Sequence, residues 1–140
     1  MSDVMEPFLY KLGVEVPHDV IFVVVHHSVK ILPGRMYFHA FRGRRQLKDV
    51  TLPEGLEQIG EETFYDCVSL EHINYPSSLI RIGEGAFAEC HSLKDVTLPE
   101  GLEEIGEGAF ATCESLKCIN CPSAVIKIGM YAARRTRRNW

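Results

Sequence analysis

The chain has 140 residues, 46% apolar and 24% charged, which suits one soluble domain with a single modest core and excludes disorder driven by charge repulsion. Its formal charge of −4 hides an asymmetry, because all 19 acidic residues precede position 115 while four arginines lie in the last seven positions. Without those four the body holds 11 basic against 19 acidic groups, about −8, a poor balance for general nucleic-acid binding.

The first twenty residues, MSDVMEPFLYKLGVEVPHDV, carry four acids and two prolines and lack a basic start followed by an apolar stretch, so no secretory signal is read. Residues 1–19 are expected to be an N-terminal flank that shields an open edge. The longest apolar run, Val20 to Val25, is far below the length of a membrane-spanning helix. Five cysteines, an odd number, fit reduced thiols in a cytoplasmic protein. A place on an extracellular surface follows only if the chain is a fragment.

From Leu47 the text repeats itself. LKDVTLPEGLEQIGEETF and LKDVTLPEGLEEIGEGAF, which begin at Leu47 and Leu93, agree at 15 of 18 positions. A step of 23 residues links Leu47, Leu70, Leu93 and Leu116, and likewise Val50, Ile73, Val96 and Ile119. The prolines at 53, 76, 99 and 122 and the glycines at 60, 83, 106 and 129 keep the same step. So do Phe64, Phe87 and Phe110, and Cys67, Cys90 and Cys113.

Each unit predicts a short strand of period 2, ended by a proline that offers no ladder donor. A second inward pair (Leu56 and Ile59 in the first unit) follows, then a glycine read as allowing a tight turn. The AF segments predict one short helical or 3₁₀ turn that inserts a phenylalanine. One unit cannot bury its own apolar face, whereas stacked units can. The predicted fold is therefore a mainly β solenoid of about five coils. Residues 20–46 form an irregular first coil, since Val23, Val25, Val29 and Leu32 match the spacing of Val50, Leu52, Leu56 and Ile59 with a four-residue excess near 36–44. Regular repeats fill 47–129, and 130–140 is a basic tail.

The run LKDVTLPEGLEEIGEGAFATC, Leu93 to Cys113, resembles the BspA-type leucine-rich repeat family. The resemblance implies a curved right-handed coil with a β-sheet on its concave side, used for protein binding rather than catalysis. The buried asparagine of commoner leucine-rich repeats is missing, so an asparagine ladder is not expected.

The chemistry read from the residues is modest. Cys118 and Cys121 stand three apart on a predicted strand and so face opposite ways, and no second pair completes a zinc set. The other three cysteines read as small apolar fillers of a recurrent niche. His26 or His27 beside Cys67 would need a third orienting group and an oxyanion site, neither of which is evident. No catalytic residue, metal or cofactor is expected. What remains is the outward face of the strands. It carries Asp49, His72 and Asp95 in one column and Thr51, Asn74, Thr97 and Asn120 in the next, a candidate surface for a protein or peptide. The alternative is an adaptor to nucleic acid or an acidic membrane surface through Arg134, Arg135, Arg137 and Arg138. An exposed last coil also leaves room for homo-oligomers.

Overall fold

Alternating residues with apolar side chains on one side commit each repeat to two short strands. The structure, a computed structural model, describes residues 5–35 and 40–129. Its strands are β1 (Phe8–Tyr10), β2 (Phe22–Val25), β3 (Ile31–Leu32), β4 (Asp49–Thr51), β5 (Gln58–Ile59) and β6 (His72–Ile73). They continue as β7 (Arg81–Ile82), β8 (Asp95–Thr97), β9 (Glu104–Ile105), β10 (Cys118–Asn120) and β11 (Lys127–Ile128). All pairings are parallel, and those beyond β4 and β5 join residues one 23-residue repeat apart. One face is built by β1-β2-β4-β6 and by β8-β10, the other by β3-β5-β7-β9-β11.

The irregular start keeps register. Val23 pairs with Val50 and Leu32 with Ile59, as the spacing predicts. The extra residues fall between Leu32 and Phe41, and Phe41 joins the aromatic column, stacked 5.0 Å from Phe64. Phe64–Phe87 and Phe87–Phe110 follow at 5.2 and 5.3 Å, with interplanar angles of 8° and 3°. Four turns thus carry a buried phenylalanine, each contributing on the order of 2–3 kcal/mol by burial. The fifth supplies only β10 and β11 as far as Gly129, so the described solenoid is about four turns, not five. Ahead of the first turn, β1 pairs with β2, and Tyr10 sets its ring edge-on to Phe41 at 4.9 Å.

The AF segments differ from expectation. Among the described residues there is no helix. Each of these turns has two residues in the left-handed region four positions apart: Glu62 and Asp66 (φ 53° and 60°), Gly85 and Glu89 (58° and 62°), Gly108 and Thr112 (59° and 58°). A right-handed helical turn cannot run through such positions. The backbone bonds to the next coil instead. The N–H groups of Glu62, Phe64 and Asp66 donate to the carbonyls of Glu84, Ala86 and Ala88 at 2.8–3.0 Å, and those of Gly85, Phe87 and Glu89 to Glu107, Ala109 and Ala111 at 2.7–2.9 Å. This is a third inter-coil ladder beside the two sheets. The buried thiols support it: Cys67, Cys90 and Cys113 donate to the carbonyls of Phe41, Phe64 and Phe87 at 3.0, 3.2 and 3.1 Å.

Arg44 occupies the cysteine position of the first turn, 23 residues before Cys67. In later turns the carbonyls of Tyr65, Ala88 and Ala111 accept an N–H from the coil before. The matching carbonyl of Arg42 receives Arg44 Nη1 at 3.2 Å, while Arg44 Nε reaches the Val16 carbonyl at 3.0 Å. A buried guanidinium therefore closes this end of the ladder.

The repeat glycines do a different job from the one predicted. Gly60, Gly83, Gly106 and Gly129 are not in the left-handed region. A Cβ on Gly83 would lie 2.6 Å from the Glu61 nitrogen, and the other three would meet neighbouring-coil backbone in the same way. They are glycines because two backbones touch there.

Candidate functional site

The predicted surface lies on the outer side of the first face. Register sets Asp49 beside His72, Cys118 beside Asp95 and Asn120 beside Thr97. Thr51, His72, Asn74, Asp95, Thr97 and Asn120 are exposed and Asp49 is half-buried. The structure divides them into two groups, because no ladder pair joins β6 to β8 among the described residues.

Two side chains mark this seam. The Asn74 amide folds back on the preceding coil, accepting the Leu52 N–H at Oδ1 (2.7 Å) and donating from Nδ2 to the Leu52 carbonyl (2.9 Å). It is committed to the backbone rather than offered to a partner. Tyr75 occupies the inward column otherwise held by Val25, Leu52, Leu98 and Cys121, and sets its ring edge-on to Phe87 at 5.7 Å. Its hydroxyl is sealed from solvent with no hydrogen-bond partner, and burial pushes its pKa well up. The largest side chain of its column thus sits where the sheet parts.

On the surface the seam is a groove of about 460 Å³ lined by Asp49, Thr51, His72, Asn74 and Asp95, together with Glu71 and Lys94. Lys94 Nζ lies 3.3 Å from the Glu71 carboxylate, and His72 Nε2 lies 4.0 Å from it. Asp49 and Asp95 have no ion-pair partner among the described residues. Beyond β4 the same face turns apolar. Phe22 stands beside Asp49, Val24 beside Thr51, and Leu9, about half exposed, beside Val24. Sequence reasoning missed this shelf, although the match of Val23 to Val50 already placed Phe22 and Val24 outward.

The other candidates separate cleanly. Cys118 is exposed and Cys121 half-buried, and among the described residues no cluster of His, Cys, Asp and Glu is placed to hold a metal. His26 bonds Ser28 Oγ at 2.7 Å through Nδ1, whereas Cys67 is fully buried against the Phe41 carbonyl, so no His–Cys pair forms. Burial holds the Cys67 and Cys113 thiols up at about 12 and Cys90 well above its ordinary value. These groups are protonated and unreactive in the folded state. Arg134, Arg135, Arg137 and Arg138 lie outside the described residues.

Known proteins fit this geometry. The sequence profile described as BspA type leucine rich repeat region matches residues 33–137 in six copies. The chain belongs to this family. A leucine-rich repeat protein of T. pallidum is 42% identical with a TM-score of 0.63, over 67% of this chain and 42% of that one. A leucine rich cell surface protein from Faecalibacterium prausnitzii has a TM-score of 0.66 at 22% identity, over 83% of this chain and 36% of that one. A leucine-rich repeat protein from Eubacterium ventriosum has a TM-score of 0.54 at 21% identity, over 89% and 37%. This BspA-type chain therefore spans less than half the length of each. A search of curated proteins finds no match. No helix among the described residues is long and apolar enough to cross a membrane.

Proposed function

We propose that this leucine-rich repeat protein is a non-catalytic interaction module that holds a protein or peptide on the outer face of its first sheet, taken as the concave side. The observation that carries the reading is the exposure of Thr51, His72, Asp95, Thr97 and Asn120, with half-buried Asp49 beside His72, on two groups of strands fixed by a continuous core. A rigid array of short polar side chains costs little conformational entropy when a partner settles on it.

The test is an affinity pull-down comparing wild type with a triple Asp49→Lys, His72→Ala, Asp95→Lys variant that melts like wild type. A partner retained by wild type and lost by the variant supports the sheet face. A partner kept by the variant, lost on deletion of 134–140 and steeply salt-dependent, transfers function to the arginine tract.

A further inference from the structure

Resting on that reading of the face, we infer that its partner is an extended segment carrying a cationic side chain with an apolar side chain four residues away. Two features on the face, made by different residues, specify the two groups. The seam between β6 and β8 has His72 on one wall and Asp95 on the other, with Asp49 one strand behind His72. Neither carboxylate has a cation among the described residues, Lys94 being engaged by Glu71, and Asp95 accepts only the Cys118 thiol at 3.6 Å. A guanidinium or ammonium placed over His72 and the seam is drawn by both carboxylates, one from either side. The shelf of Leu9, Phe22 and Val24 lies on the same face, across β1 and β2.

Their separation fixes the spacing. Paired strands lie about 4.8 Å apart and β6 and β8 stand wider than that, so the step from β2 past β4 and β6 into the seam is about 14 Å, and from β1 it is about 18 Å. On an extended chain, side chains of one face recur every two residues, about 6.8 Å, so the pair that bridges shelf and seam is i and i+4, about 13.6 Å apart. A pair at i and i+2 falls short, and a pair at i and i+3 points to opposite faces. The segment runs along the solenoid axis, across the strands, and its intervening residues lie over Thr51 and Asn74.

The experiment is selection from a random dodecapeptide display library on the full chain, followed by fluorescence-anisotropy titration of the enriched peptides against wild type and two variants. The variants are Asp49→Asn with Asp95→Asn, and Phe22→Ser with Val24→Thr. Enriched peptides should share Arg or Lys four residues from a Leu, Ile, Met or aromatic side chain. Each double variant should weaken them about tenfold or more, and Arg→Gln or apolar→Ser changes in the peptide should do the same. Enrichment of acidic or wholly polar sequences, binding indifferent to both variants, or no enrichment overturns the inference. If the pull-down still places a partner on the sheet, only the assigned chemistry falls. If the pull-down also moves off the sheet, the proposed face falls with it.

Discussion

Replacing Tyr75 by phenylalanine should make this protein more stable. The change removes one oxygen and leaves the ring, whose edge contact with Phe87 at 5.7 Å persists. The residue as a whole is partly exposed, but its hydroxyl oxygen is sealed and without a partner. A buried hydroxyl with no hydrogen bond costs about 1–3 kcal/mol relative to water, and the phenylalanine variant recovers most of it. The expected gain is about 1–2 kcal/mol, or several degrees in Tm for a chain of this size. Urea denaturation should show a higher midpoint at unchanged slope, because the surface exposed on unfolding is the same. An unchanged or lower midpoint would refute the reasoning. It would mean that an ordered water or a thiol of the neighbouring Cys90 or Cys113 satisfies the hydroxyl, and that the seam carries no such strain.

Other substitutions separate the roles of side chains that look alike in the sequence. Gly83→Ala should cost about 3 kcal/mol, because its Cβ would meet the Glu61 nitrogen at 2.6 Å and force two coils apart. Gly85→Ala, although at φ 58°, should cost only about 1 kcal/mol, since its Cβ meets only the flexible Glu62 side chain at 3.3 Å. Thermal melts of the pair decide the order. Arg44→Cys, which installs the residue of later turns, should lose about 2–3 kcal/mol, because the carbonyls of Val16 and Arg42 lose a charged donor. Stability equal to wild type would show that this cap is dispensable. The buried thiols predict an alkaline limit. Their folded pKa values lie above the ordinary value of 9.0, reaching about 12 for Cys67 and Cys113, so above about pH 9 the unfolded chain releases protons that the folded chain retains. Stability is full below that pH and falls as pH rises, by about 1.4 kcal/mol per unit for each thiol. A Cys67→Ala, Cys113→Ala variant should show a flatter profile from pH 9 to 11, whereas an unchanged slope would place the loss elsewhere.

Much of the fold was legible because stacking demands identical register. The columns of Leu47, Val50, Leu56 and Ile59 recur in later turns as the spacing implies, and even the irregular turn paired as read. The third ladder was not legible, because Glu62, Asp66, Glu89 and Thr112 adopt left-handed backbone without being glycine, held there by bonds to the adjacent coil. The repeat glycines were legible as obligatory but not for the right reason, since close approach of two backbones leaves no mark distinct from a turn. Phe41 and Arg44 keep the 23-residue step to Phe64 and Cys67 but were missed, because the insertion parts them from Leu32 and an arginine stands where later turns have cysteine. At the candidate site the outward columns were correctly drawn. The committed amide of Asn74 and the parting of β6 from β8 coincide with Tyr75, the largest inward side chain of its column, and neither is visible until coils are stacked.

The third ladder has a direction. Every N–H in it points toward the higher-numbered coil and every carbonyl toward the lower, so its ends are chemically unlike: one accepts and the other donates. Arg44 stands on the accepting end with its own donors already in place, which makes it a terminator as much as a core residue. Any stacked assembly built through this ladder is head-to-tail and polar, and a two-fold symmetric dimer through the same groups is forbidden.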